Sequence, residues 1–185
     1  MNSRAFLICS LVLCLLFTGC TTLFAGGNGG EENLTKPGFP KTIKSKDIVE
    51  FYAAFDTREM IASEHKEGAL PRGLYKISLK KAEDGAFCTF SCSDYFDLKF
   101  KTNKQALVDL QTFVDAHHMS ELNGYYSRKS TPAGDTYLSI VYASGEKITA
   151  GTSGGAQFPS PYWDVQSLQD FFKTLAAKNG QKISP

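Results

Sequence analysis

Alternation of apolar and polar residues is clearest over Leu74 to Lys80, where Tyr75, Ile77 and Leu79 fall on one side and Lys76, Ser78 and Lys80 on the other. A strand with one buried and one wet face has this period of two. Asp84-Gly85 supplies a turn and the run Ala86 to Cys92 returns from it. Tyr95 to Lys101 then repeats the alternation, with Phe96, Leu98 and Phe100 against Asp97, Lys99 and Lys101. Three such segments in succession predict an antiparallel meander. Upstream, Ile48 to Phe55 fits both helical spacing behind a Ser45 cap and one face of a strand; its β-branched and aromatic residues favour the strand. From Asp56 to Arg72 the periodicity is lost, and Gly68 and Pro71 mark a loop.

The period then changes. Leu107, Leu110 and Val114 recur at three- and four-residue spacing, flanked by Ala106 and Phe113. This predicts a helix capped by Thr102 or Asn103 and ending near His118, before Leu122-Asn123-Gly124. A second hairpin follows, with Thr136 to Ala143 rich in β-formers, Ser144-Gly145 as the turn and Lys147 to Ala150 as the return. The last element is a helix from Asp164 to Lys178. Asp164 caps it, Leu168, Phe171, Phe172 and Leu175 make its inner face, and Asn179-Gly180 stops it. Lys173 and Lys178 sit near its negative end. Together these elements predict one α+β domain over residues 47–185: an antiparallel sheet of five or six strands with two helices packed on one face. Residues 20–46, with Gly26-Gly27-Asn28-Gly29-Gly30, Glu31-Glu32, Pro37 and Pro40, read as a flexible tether.

The start of the chain has a different character. After Arg4, Ala5 to Phe17 is almost unbroken apolar sequence, short of the roughly 20 residues that cross a bilayer as a helix, and it ends in the small pair Thr18-Gly19. That is the shape of a secretory signal peptide over residues 1–19. Phe17-Thr18-Gly19-Cys20 resembles the lipobox of bacterial lipoproteins, departing from it at Phe17, where the family usually has Leu. The resemblance covers residues 1–20. It implies cleavage before Cys20 and lipidation of the Cys20 thiol by acyl chains of the palmitate class. Two such chains anchor a protein stably where one does not. The protein is then exported and held on the cell membrane or outer membrane, with its domain outside the cytoplasm. Thr21 after the cysteine resembles the outer-membrane sorting pattern of Gram-negative lipoproteins. The domain itself is similar in general look to small domains of unassigned function in exported lipoproteins, around Tyr142-Ala143-Ser144-Gly145 and the glycine-rich segment behind it. No site carries over from that likeness.

Charge narrows the partners. Lys and Arg number 20 and Asp and Glu 19; loss of residues 1–19 removes Arg4 and brings the two into balance. Such a chain has no basic footprint for nucleic acid. Cys88 and Cys92 are the cysteines left for the domain. Four apart on a strand, they share a face about 13 Å apart, too far for a disulfide unless Thr89-Phe90-Ser91 turns back. Free, buried thiols are the favoured reading, and a structural zinc site lacks its other ligands.

Catalytic signals are weak. Gly151-Thr152-Ser153-Gly154-Gly155 fits the glycine-serine-glycine pattern of a nucleophile elbow, but Pro159 and Pro161 delay the following helix, and the last histidine, His118, precedes the serine. The segment also resembles the serine motif of chymotrypsin-like proteases, with Thr152 in place of an acid; His65 or His117 would satisfy that order, in a body much smaller than that fold. The bland alternative is a glycine-rich loop after an edge strand. Adjacent helical residues such as His117 and His118 point about 100° apart, so they form no ready chelate. No metal and no cofactor is expected. Aromatic residues make the better candidate surface: Tyr125 and Tyr126 in the loop after the first helix, and Phe158, Tyr162 and Trp163 before the second. They could form a platform for glycans or a protein partner, or close the end of the core, which ordinary burial favours. The expected function is that of a membrane-anchored, non-catalytic binding or interaction module of the cell envelope. An accessory subunit of an envelope transport or assembly machine is the alternative, with a Ser153 hydrolase behind it.

Overall fold

A computed structural model of the protein describes residues 31–58 and 70–183. The predicted signal peptide, Cys20, His65 and Gly68 lie outside the described residues. Strands β1 (Glu32–Asn33), β2 (Ile48–Asp56), β3 (Leu74–Ala82), β4 (Gly85–Cys92) and β5 (Phe96–Thr102) precede helix α1 (Gln105–Ala116). A short 3-10 turn over Met119–Leu122, strands β6 (Tyr126–Arg128), β7 (Thr136–Tyr142) and β8 (Lys147–Ser153), and helix α2 (Val165–Lys178) complete the chain.

The alternation places the core. Tyr75, Ile77 and Leu79 of β3, Phe51, Ala53 and Phe55 of β2, and Leu138 and Ile140 of β7 are all buried. Both helices cover this face. Phe172 of α2 lies 5.9 Å from Phe51 and 5.9 Å from Phe90, ring centroid to ring centroid. Leu107, Leu110 and Val114 of α1 are buried beside it, and Phe113 meets Phe171 at 5.4 Å. The expected α+β architecture with two helices on one face is therefore present.

The sheet differs from expectation. It has eight strands in the order β1-β6-β8-β7-β2-β3-β4-β5, and it is mixed, because β6 runs parallel to β8. The added strands, β1 of 2 residues and β6 of 3, are too short to carry a readable period. They form because the edge of β8 leaves backbone groups that must find partners. The helix limits also shift: Thr102 ends β5, Lys104 occupies the N-cap of α1 without a side-chain cap bond, and His117 is its C-cap. At α2 the expected cap is present, with Ser167 N–H donating to Asp164 Oδ1 at 3.1 Å.

The tether expected up to residue 46 is corrected over residues 31–46, which are fastened to the domain. Glu32 and Asn33 pair with Arg128 and Ser127, and Leu34 N–H donates to the Tyr126 carbonyl at 2.7 Å. Lys41 Nζ donates to the carbonyls of Glu121 and Asn123, at 2.8 and 2.5 Å. The N–H groups of Lys44 and Ser45 donate to the Glu146 carboxylate at 3.0 and 2.9 Å, and these bonds hold that carboxyl below its ordinary range. Proline and glycine make this segment irregular, but an irregular chain still satisfies a sheet edge wherever its N–H groups align.

Candidate functional site

The segment from β8 to α2 shapes one end of the sheet. Gly154 and Gly155 have φ of +61° and +77°, a conformation in which a side chain is strained. A Cβ on Gly154 would stand 1.9 Å from the Lys129 carbonyl oxygen. The loop after β6 presses onto these glycines: Lys129 N–H donates to the Ser153 carbonyl at 3.0 Å, Gly155 N–H to the Gly134 carbonyl at 3.2 Å, and Gly154 N–H to Asp135 Oδ1 at 3.2 Å. Loop packing thus explains Gly154 and Gly155, whereas Gly151, Thr152 and Ser153 end β8, which lies between β6 and β7 and is not the edge strand expected. No hydrogen bond joins Ser153 Oγ to a histidine among the described residues. Gly154→Ala is expected to cost about 2 kcal/mol, from the left-handed backbone and the displaced carbonyl together. Gly145→Ala, at φ +85° with nothing within 4 Å of the added carbon, should cost only about 1 kcal/mol. Denaturant unfolding of the two variants checks this, and equal losses would contradict the loop contact.

Beyond the glycines, Phe158 turns into the core, 5% exposed. Its ring meets Trp163 edge-on at 5.1 Å, and Trp163 meets Phe55 edge-on at 5.8 Å. Above these rings opens a cleft of about 540 Å³, floored by Phe55, Phe158 and Trp163 and rimmed by His117, Gln157, Asp164 and Gln166. That volume lies within the range typical of small-ligand sites. The rim is polar and partly charged. Partial burial pushes the Asp164 carboxyl up, but the hydroxyl and N–H of Ser167 outweigh it and, with His117 nearby, hold the group below its ordinary value. His117 itself is half-buried and packs its ring 4.3 Å from Phe113, whereas His118 is exposed. Asp56, on the cleft wall, is tied to the guanidinium of Arg58, whose Nε donates at 2.9 and 3.0 Å and lowers the carboxyl pKa.

The five aromatic residues singled out from the sequence do not make one platform. Phe158 and Trp163 line the cleft, Tyr125 meets Phe158 edge-on at 5.9 Å, and Tyr162 packs against the core. Tyr126 goes to the opposite face, its ring over Gly151. Consecutive residues entering a strand point to opposite sides, so Tyr125 and Tyr126 could not share a surface. The cleft residues His117, Gln157 and Gln166 were not legible as a group, since they come from the end of one helix, a loop and the start of the other.

Cys88 and Cys92 are free and buried, as the spacing favours. Burial pushes the Cys88 thiol up to about 12 and raises Cys92 as well. Such thiols are poor nucleophiles. Among the described residues, no group of three His, Cys, Asp or Glu side chains comes together to hold a metal, and no helix is long and apolar enough to cross a membrane. No family model, curated protein or solved structure matches the chain.

Proposed function

We propose that the protein is a lipid-anchored, non-catalytic binding module of the cell envelope, and that the cleft at the end of the sheet holds its ligand. The lipobox-like Phe17 to Cys20 supports the anchor, and the cleft over Trp163 supports the binding role. Its aromatic floor and amide-bearing rim suit a ligand with one apolar face and a polar perimeter, the chemistry of a sugar ring in an envelope glycan. Ring edges and faces cover the apolar side of such a ligand while the side-chain amides of Gln157 and Gln166 meet its hydroxyls.

Trp163 is the chain's sole tryptophan, so its emission reports on the cleft directly. Titration of the full chain with cell-wall glycan fragments is expected to shift that emission saturably. Gln157→Ala with Gln166→Ala removes two rim hydrogen bonds while leaving the aromatic floor in place, and should weaken the response by about tenfold or more. Emission that stays constant at high fragment concentration, or a response indifferent to the double variant, would defeat the assignment.

A further inference from the structure

The face of the sheet turned away from the helices carries an ordered pattern of its own. Strand register places Thr149, Ser139, Tyr52, Ser78 and Thr89 side by side across β8, β7, β2, β3 and β4, with Lys99 following on β5. Neighbouring strands lie about 4.8 Å apart, so this is a row of hydroxyls repeating at that interval. The adjoining row holds Tyr126, Gly151 and Tyr137. A Cβ on Gly151 would stand 3.0 Å from the Tyr126 ring, so the glycine lets that ring lie across the sheet. Tyr137, 42% exposed, sits 6.0 Å from Tyr52 and joins the two rows.

Charge on this face is unbalanced although the whole chain is at +1. Its carboxylates are taken up: Glu50 by Lys80 at 3.7 Å and Asp97 by Lys99 at 2.8 Å. Lys76, Lys101 and Lys147 project from the same face with no carboxylate in ion-pair range among the described residues. A partner that complements the face is therefore anionic, extended and able to use both hydroxyls and ring faces.

We infer that this face binds a linear acidic polysaccharide. Tyrosine rings cover the apolar faces of successive sugars, the hydroxyl row donates to and accepts from their edges, and the uncompensated lysines meet their carboxylates. The surface is open and spans five strands, which fits a polymer better than a small molecule. An anionic lipid surface would need the lysines alone and would leave the hydroxyl row and the tyrosines without a role.

Affinity electrophoresis of the full chain in detergent, through gels containing polygalacturonate, tests this. Migration should be retarded, and added salt should weaken the retardation as charge pairing is screened. Tyr137→Ala, and separately Ser78→Val with Thr89→Val, should each weaken it about tenfold, the scale of a lost ring contact or hydroxyl pair. Lys76→Gln with Lys101→Gln should weaken it and flatten its salt dependence. Gels containing neutral dextran should leave migration unchanged, and Gln157→Ala with Gln166→Ala should bind polygalacturonate normally, which separates this face from the cleft. All these positions are on the wet side, so thermal unfolding of each variant verifies folding. Unretarded migration would overturn the inference. So would retardation that depends on the lysines but ignores the tyrosine and hydroxyl changes, or equal binding to phosphatidylglycerol vesicles, since either result describes a merely charged surface.

Discussion

Phe172→Ala is expected to remove about 3–5 kcal/mol of folding stability, the cost of truncating a fully enclosed aromatic residue. The ring is 0% exposed and lies between Phe51 of β2 and Phe90 of β4, each 5.9 Å away. It couples α2 to the two strands at once, so the vacancy cannot be closed by moving a single element. Stability of a domain is commonly about 5–15 kcal/mol in all, and the variant should lose a large share of its folded population at physiological temperature. Phe171 gives the contrast. It is only partly buried, packs on Phe113 at 5.4 Å, and its replacement by alanine should cost about 1–2 kcal/mol. Urea unfolding of both variants provides the measurement. A loss below about 1.5 kcal/mol for Phe172, or equal losses at the two positions, would be incompatible with α2 docking through that ring.

Deleting residues 31–46 should cost about 3 kcal/mol, whereas removal of a free spacer would cost almost nothing. The deletion takes away the β1 pairing, the Lys41 bonds to two carbonyls and both backbone donors to Glu146. It also removes the Pro40 carbonyl from Asn123 Nδ2, a bond of 2.9 Å made by a side chain whose residue is 2% exposed. An unpaired buried donor alone costs about 1–3 kcal/mol, and the net gain from the other bonds is largely offset by the conformational entropy no longer spent on ordering the segment. Asn123 Oδ1 accepts from Thr149 N–H at 3.0 Å, so the loosened side chain also weakens the β8 edge. Hydrogen exchange should consequently speed up at Tyr126 and Thr149 before it does in β3 or β4. An unchanged urea midpoint would restore the tether to residue 46.

Local sequence determined which way side chains face and, at Asp84-Gly85, Asp164 and Asn179-Gly180, where an element turns, starts or stops. The alternation in Leu74 to Lys80 and in Phe96 to Lys101, the Asp84-Gly85 turn, the stripes of both helices and the Asp164 cap all depend on neighbours a few residues away. Those signals survive in any fold. The spacing of Cys88 and Cys92 likewise decided, through strand geometry alone, that two thiols on one face stay apart. Tertiary structure decided what pairs with what. Nothing local to β2 says that it lies between β3 and β7, and nothing in the irregular residues 31–34 says that they will complete the edge beside β6. Those choices are made by backbone groups and apolar faces that meet only after the chain has closed on itself. The same applies to the sites. Tyr125 and Tyr126 look like one feature in sequence and are divided between two faces by the two-residue period of a strand. The hydroxyls of Thr149, Ser139, Tyr52, Ser78 and Thr89 are scattered along the chain, and only strand register brings them into one row.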